Sequence, residues 1–210
     1  ARASMCAQPS SSAVPYRPNV ETFTSEKPLV PNPSFDYERK RALEELRIEM
    51  SKGSVDKPTL DVLQRFSRIP YCYTLQSCYG HFMLEQRTED RNTDRVAAFG
   101  KAEAKLHYRI AYVAFCVQNS SSGRALLEDL KSVPKLDPDY IQFGSADWFW
   151  NLCVNSYVLQ VSPFKNARED HFDVSIEEAL HIEKTRDGFF DTLRGVLSRS
   201  LMRDGREPSS

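Results

Sequence analysis

Several signatures of common enzyme classes are missing from this sequence. Its 8 glycines never form a Gly-x-Gly pair, so neither a dinucleotide fingerprint nor a phosphate-binding loop with its lysine can be drawn. The Gly-x-Ser-x-Gly turn of the α/β-hydrolases and the His-Glu-x-x-His motif of zinc proteases are also missing. None of these familiar classes is therefore indicated.

The chain also lacks an excess of charge of either sign. Its 28 Lys and Arg residues nearly balance 29 Asp and Glu residues, which gives a net charge of -1. No global basic field attracts nucleic acid, so any contact with RNA or phosphate must come from a local patch.

Long apolar runs are missing too. The longest, Ile110 to Val117, is far shorter than the roughly 20 residues that a membrane-spanning helix requires, and it predicts a buried strand. No continuous apolar segment follows Ala1, so we predict no secretory signal. We also expect a location in the cytoplasm and no association with a membrane.

The cysteines argue against disulfide bonds and against a metal site. Their number is odd, and several lie in hydrophobic stretches, which is typical of reduced thiols in a cytosolic protein. Cys72, Cys78 and His81 offer ligand types that zinc prefers, but the two cysteines lie along one predicted strand, about 20 Å apart. We therefore predict buried thiols and no metal. The 5 cysteines are Cys6, Cys72, Cys78, Cys116 and Cys153.

The first part of the chain, residues 1–34, differs in composition from the rest. It contains half of the 12 prolines among serines and isolated apolar residues. Proline removes backbone donors and favours extended conformations, so this stretch should not form a core of its own. We predict an extended N-terminal arm, poorly ordered or docked through residues such as Phe23, Leu29 and Val30, followed by a single domain over residues 35–205.

The remaining residues predict alternating helices and strands. Ser34 and Gly53 bound a helix at about 35–51, Asp56 and Pro58 open a second short helix, and further helices are predicted at 123–131 and, after a Ser175-Glu178 capping box, through about residue 202. Strands are predicted at 69–78, 81–86, 106–117, 140–143 and 154–161. This order favours the α/β class: a single compact domain with a mixed sheet packed by helices.

The first two strands are joined by Tyr79-Gly80. Because this link is too short for a parallel crossover, we expect them to pair as antiparallel neighbours. Cys78 and His81 beside the link are the candidate catalytic residues, since a thiol is a nucleophile and an imidazole transfers protons near neutral pH. The simpler interpretation is a buried thiol and a strand histidine that faces solvent.

Ser77, Gly80 and four further residues are the candidate substrate- or cofactor-binding residues. Uncharged hydrogen-bonding groups near strand ends can read a base edge or an amino-acid group, although they equally cap helices and fill turns. We predict that they line one cleft with Cys78 and His81, provided that glycine lets the chain bulge there. The four are Gln118, Asn119, Asn155 and Ser156.

Two other features have both a functional and a structural interpretation. Trp148, Phe149 and Trp150 can stack on a base or pack in the core. Basic residues between Arg87 and Arg109 can form an RNA-facing patch, but acids interspersed among them make a solvated mixed surface the simpler interpretation.

The segment Ile69 to Phe82 resembles a stretch of the tRNA wybutosine-synthesising methyltransferase family. There, a strand of aromatic and Thr/Ser residues leads into Ser-Ser-Cys-Ser-Gly-Arg and then into an apolar strand. Ser77, Cys78 and Gly80 match this hexapeptide, whereas His81 stands in place of the arginine, and Gln76 and Tyr79 also depart. Weaker agreement extends the resemblance over roughly residues 58–197.

The resemblance implies a compact α/β domain that uses S-adenosylmethionine without a Gly-rich loop and acts on a modified, tricyclic guanosine in tRNA. A methyltransferase-like protein with tRNA or a nucleotide as its partner is the leading hypothesis. The alternative is a non-catalytic protein of the same fold that binds a nucleotide or small ligand, because one fold hosts many functions. The sequence leaves the oligomeric state open.

Overall fold

The computed structural model describes residues 3–4, 23–84, 93–99, 105–145, 147–203 and 205. Within these residues the strands are β1 (Ala3–Ser4), β2 (Cys72–Cys78), β3 (His81–Leu84), β4 (Leu106–Arg109), β5 (Ala111–Val117), β6 (Ile141–Ser145), β7 (Ser156–Val161) and β8 (His171–Val174). The helices are α1 (Phe35–Lys52), α2 (Leu60–Arg68), α3 (Ser121–Lys131), α4 (Asp147–Trp150) and α5 (Ile176–Arg203).

The strands form two antiparallel sheets. One has the order β1-β2-β5-β7-β6, and the other has the order β3-β4-β8. Helices pack against these sheets, so the α/β class and the single compact domain predicted from the sequence are confirmed. Every strand pairing in the described part of the chain is antiparallel.

Most predicted helices and strands are present. Ser175 Oγ accepts a hydrogen bond of 3.1 Å from the Glu178 N–H at the start of α5, as the capping-box prediction requires. Gly53 ends α1 in the left-handed region with φ 68°. Ser34 precedes α1, but its side chain makes no cap hydrogen bond. The strand β8 was not predicted.

The predicted pairing of the first two strands is wrong. β2 pairs with β5 in the larger sheet, whereas β3 pairs with β4 in the smaller one. Cys78 lies opposite Tyr112, and His81 lies opposite Arg109, so both sheets keep the same register on either side of Tyr79-Gly80. The link is therefore a corner in one bent two-stranded ladder, not a hairpin turn. Residues 85–86 of the predicted second strand lie outside the described residues.

The main core lies where helix α5 meets the inner faces of both sheets. Side chains alternate along the smaller sheet, so that Phe82, Tyr108 and Phe172 face this core. Phe189 and Phe190 of α5 join them. A second cluster around Phe35 of α1 covers the other face of the larger sheet, so that sheet is buried on both sides.

The described part of the arm lies against the larger sheet. Thr24 and Ser145 of β6 exchange two backbone hydrogen bonds of 2.9 and 3.0 Å. The Lys27 N–H donates to Ser145 Oγ at 2.8 Å, and Phe23 and Leu29 pack against the two clusters. None of the described helices combines the length and the apolar composition that crossing a bilayer requires.

Candidate functional site

The corner at Tyr79-Gly80 depends on the absence of a side chain at Gly80. This glycine has φ +89°, and a Cβ atom there would lie 2.9 Å from the Ala111 Cβ and 3.0 Å from the Tyr108 hydroxyl. That hydroxyl accepts a 2.9 Å hydrogen bond from the Ala111 N–H and donates to the Val161 carbonyl at 3.2 Å. The two ladder strands therefore bend together around one buried phenol.

Three chemically active side chains meet at this corner. Asp56, Cys78 and His81 each place one carboxylate oxygen, thiol sulfur or imidazole nitrogen within 4.8 Å of the other two. We call them the corner cluster. Cys78 is 3% exposed and His81 is 8% exposed.

Asp56 reaches the cluster from the loop that follows α1. Its Oδ2 atom accepts a 2.8 Å hydrogen bond from the Tyr79 N–H and lies 3.4 Å from His81 Nε2. Burial of the carboxyl group raises its pKa, but the hydrogen bonds from His81 and Tyr79 outweigh this effect and lower the pKa of Asp56. The carboxylate is thus ionised at neutral pH.

His81 is held from both sides of its ring. Its Nδ1 atom lies 2.8 Å from Asp94 Oδ1, opposite the nitrogen that faces Asp56. Hydrogen bonds to Asp56 and then to Cys78 raise the pKa of His81 to about 10 despite its burial. The ring is therefore an imidazolium at neutral pH.

A buried arginine supports the corner from α5. Arg186 is fully buried and donates from Nη1 to the Gly80 carbonyl at 3.1 Å and from Nη2 to the Asp94 carbonyl at 2.7 Å. Its guanidinium also lies 4.1 Å from the centre of the Tyr79 ring. Arg186 therefore holds the corner backbone and the Asp94 backbone together, which places the Asp94 carboxylate beside His81.

The outer face of the smaller sheet continues from the cluster. In the register of this sheet, His81 pairs with Arg109, and Arg109 pairs with His171. These three residues share the face of the sheet opposite to the one on which Phe82 packs into the core. An open groove of about 540 Å³ lies on this face, lined by Met83, His107, Arg109, Asp170 and His171. It offers a basic guanidinium and two imidazoles next to the corner cluster.

The other four predicted binding residues lie at the far end of the larger sheet. Gln118 donates its backbone N–H to the Tyr71 carbonyl at 2.9 Å, at the opposite end of β2 from Cys78. Tyr71 and Cys78 are seven positions apart along the extended chain, or roughly 23 Å. The prediction of one cleft that contains both groups is therefore wrong, because β2 and β5 carry them to opposite ends of the ladder.

The polar atoms of this far end bond to their own surroundings. Asn155, with φ 63°, accepts from the Val30 N–H and donates to the Val30 carbonyl, both at 2.8 Å. Ser156 Oγ donates to the Cys153 carbonyl at 2.7 Å, and Asn119 accepts from Arg124. These contacts hold the arm, a turn and the start of α3.

The predicted residues Cys78 and His81 both belong to the corner cluster, whereas Ser77, paired with Val113, precedes Cys78 by one residue and so points to the opposite face of the strand. The two carboxylates were missed: Asp56 is predicted only to open the second helix, and Asp94 is only one of the acids interspersed among the basic residues between Arg87 and Arg109. Hydrogen-bond partners 23 residues apart, as in the Tyr79 to Asp56 bond, leave no local pattern. No short-range signal could have identified either acid.

Two remaining predictions fall partly outside the described residues. The side chain of Trp148 lies outside the described part of the chain. Trp150 packs against the main core, with its ring 5.9 Å from that of Tyr157. Of the basic residues, Arg87, Arg91 and Lys101 lie outside, while Arg95 pairs with Glu183 and Asp187 of α5. Arg95 is thus part of a mixed surface, as the simpler interpretation predicted.

Comparisons with known proteins find a few distant similarities. No family model and no curated protein matches the sequence. Two structures of the PH1069 protein from Pyrococcus horikoshii are similar to this one. The first has 15% identity and a TM-score of 0.47 over 82% of this chain and 94% of its own. The second has 14% identity and a TM-score of 0.45 over 83% of this chain and 95% of its own. A hypothetical protein from Aeropyrum pernix has 15% identity and a TM-score of 0.40 over 68% of this chain and 98% of its own.

Proposed function

We propose that this protein is a S-adenosylmethionine-dependent methyltransferase that acts on a modified nucleotide in tRNA, with its reaction centre at the corner cluster. One observation carries the proposal. Within the hexapeptide on which the family resemblance depends, the matching Cys78 and the departing His81 both lie in the corner cluster, and Asp56 and Asp94, distant in sequence, complete the site around them. A motif noted for its sequence thus coincides with a convergence of titratable groups.

The chemistry of methyl transfer fits an ionised carboxylate at this position. S-adenosylmethionine, when bound, would supply the methyl group and leave as the thioether, and the acceptor nitrogen would lose one proton. Asp56 is ionised at neutral pH and 17% exposed at its side chain, so it would accept a hydrogen bond from the acceptor N–H and orient it, while the proton passes to solvent because the lowered pKa makes this carboxylate a weak base. Cys78 and His81 position it from the buried side.

His81 supplies the positive charge that the family places at this position as arginine. Its raised pKa keeps the ring protonated between two carboxylates. The adjoining groove adds Arg109, which makes no ion pair with any described residue, together with His107 and His171. Cationic and imidazole groups of this kind suit the phosphate and base edges of a nucleotide.

A non-catalytic binding protein of the same fold is the second candidate. It is favoured by the burial of Cys78 and His81, since reacting groups must reach their substrate. In either case we expect the protein in the cytoplasm, because an odd number of cysteines spread over a chain of this size is typical of reduced thiols.

The test combines ligand binding with a methyl-transfer assay on the full chain. S-adenosylmethionine is titrated by calorimetry and thermal shift, and labelled methyl transfer to tRNA from cells that lack the modification is measured. We expect Asp56→Asn to reduce transfer at least 100-fold while retaining S-adenosylmethionine binding, and His81→Arg to retain activity. Asn119→Ala, at the far end of the sheet, is the matched control and should match the wild type.

The outcomes separate the two candidates. S-adenosylmethionine binding without transfer to any tRNA supports the binding protein. Absence of S-adenosylmethionine binding by the wild-type protein overturns the methyltransferase proposal. Equal loss of activity in Asp56→Asn and Asn119→Ala would remove the corner cluster as the reaction centre.

A further inference from the structure

We propose that the corner cluster is also a binding site for one divalent transition-metal ion, with Zn²⁺ the ion that fits best. Asp56, Cys78 and His81 each offer one ligand atom, a carboxylate oxygen, the thiol sulfur and a ring nitrogen, and these three atoms lie within 4.8 Å of one another. This inference goes beyond the proposed methyl transfer and does not depend on it: a bound ion would displace the proton from His81 Nε2 and occupy the Asp56 oxygen, so the metal-bound and metal-free forms of the cluster exclude one another. It also differs from the sequence prediction of no metal, because Asp56 and not Cys72 is the third ligand.

The spacing of the ligand atoms is close to that of a tetrahedral site. Zinc bonds of about 2.0–2.3 Å place neighbouring ligand atoms roughly 3.4–3.7 Å apart. His81 Nε2 and Asp56 Oδ2 are 3.4 Å apart, so this pair needs no movement. The Cys78 Sγ atom lies within 4.8 Å of the other two ligand atoms, so ligation would require it to approach them by roughly 1 Å.

The surroundings of His81 match those of a metal-bound histidine. Such a histidine usually donates its second ring nitrogen to a carboxylate, which fixes the ring and leaves the other nitrogen for the metal. Asp94 Oδ1 lies 2.8 Å from His81 Nδ1, so Nε2, which lies 3.4 Å from Asp56 Oδ2, is the nitrogen left for a metal. Arg186 holds the Asp94 backbone at 2.7 Å, and the Tyr79 N–H orients Asp56.

The donor set selects the class of metal. A thiolate, an imidazole and a carboxylate together suit Zn²⁺, whereas Mg²⁺ and Ca²⁺ prefer oxygen ligands alone. Three protein ligands leave one coordination position open. The partly exposed carboxylates of Asp56 and Asp94, 17% and 41% exposed at their side chains, lie on the solvent side of the cluster and give an ion a way in.

The primary experiment is cobalt substitution of the chelator-treated full chain. Co²⁺ in a tetrahedral site with a thiolate ligand gives visible d–d bands and a sulfur-to-metal charge-transfer band in the near ultraviolet. We expect both bands to saturate at one equivalent of Co²⁺ and to disappear when Zn²⁺ is added. If the spectrum of the wild-type protein with Co²⁺ lacks the charge-transfer band, the proposal is overturned, and no variant is needed to decide it.

Variants then assign the ligands. Cys78→Ser should abolish the charge-transfer band and weaken Zn²⁺ binding at least 100-fold in competition with a chromophoric chelator. Cys72→Ser is the matched control: this buried thiol contacts the Phe66 carbonyl at 3.6 Å, at the other end of the same strand, and should leave affinity and spectrum unchanged. Asp94→Asn should weaken binding by about 10–100-fold, as expected for a carboxylate that orients a ligating histidine.

Other outcomes count against the site. Equal affinity of wild type and Cys78→Ser would show that metal binds elsewhere, and a Cys72→Ser loss as large as that of Cys78→Ser would show the same. Circular dichroism of each variant identifies any that fails to fold, in which case Asp94→Asn decides. Measuring S-adenosylmethionine binding with and without Zn²⁺ keeps the two proposals separate, because either ligand can bind when the other does not.

Discussion

The two ends of the β2–β5 ladder are both rich in polar side chains, yet the structure uses them differently. At the far end, Asn155 and Ser156 bond to backbone groups of Val30 and Cys153. At the corner end, a carboxylate, a thiol and an imidazole face one another. Polar residues at a strand end thus mark a functional site only when their side chains converge on each other and not on the backbone.

The two ends also differ in how the backbone makes its turn. At Gly80 the chain bends against Ala111 and Tyr108 with no room for a side chain. At Asn155 a left-handed residue is tolerated because asparagine adopts that conformation more readily than most residues. The corner therefore depends on glycine, whereas the far end depends on one amide.

Breaking the corner should have the largest effect on stability. Gly80→Ala adds a methyl group 2.9 Å from the Ala111 Cβ at φ +89°, and we expect it to lower the free energy of unfolding by about 3 kcal/mol or more. Gly53→Ala is the matched control: its φ is +68°, but no atom lies within 4 Å of the added carbon, so it should cost only about 1 kcal/mol. Urea unfolding measures both, and equal losses would mean that the close approach at the corner does not matter.

Breaking the far end should have a smaller effect, confined to stability. Asn155→Ala leaves the partly buried N–H and carbonyl of Val30 without their partner, which we expect to cost about 2 kcal/mol and to speed proteolysis within residues 23–33. Binding of S-adenosylmethionine and of Zn²⁺ should be unchanged. A loss of affinity for either ligand would show that the far end of the ladder belongs to the same binding site as the corner.

The smallest effect is expected from the charge on His81, and it depends on pH. The folded-state pKa of about 10 lies above the usual value of about 6.5, so this group's contribution is complete below pH 6.5 and is lost as the pH rises through 10. The free-energy difference between wild type and His81→Gln should therefore be on the order of 1 kcal/mol at pH 6 and shrink towards pH 10. A difference that grows over this range would show that the ring is neutral in the folded protein.

The helices were the most predictable elements, because their pattern is local. In α5 the apolar residues at helical spacing, including Ala179, Ile182 and Phe189, are buried as the helical period requires. Strand β8, His171–Val174, was missed because it is only four residues long and has two apolar side chains. A strand this short shows its alternation only when its partner β4 is known.

The corner was less predictable, since a two-residue link containing glycine suits a hairpin as well as a bend. What decides is the partner strand: residues 106–117 run past both segments and pair with each in turn. Only part of the cluster and its surroundings could be predicted, because the remaining contacts also come from residues distant in sequence. Cys78 and His81 stand in one recognisable segment, whereas Asp94 hydrogen-bonds to His81 from a position 13 residues away that only the folded chain defines.

The contacts of the arm with β6 have a consequence for the behaviour of the protein in concentrated solution. β6 is the last strand of its sheet, and a terminal strand presents unpaired backbone groups that can recruit a strand from another molecule. Thr24 occupies two of these groups at Ser145, and Phe23 packs closely over Gly144. The proline-rich segment thus shields the sheet against edge-to-edge aggregation, which is a protective role that a segment without its own core can fill.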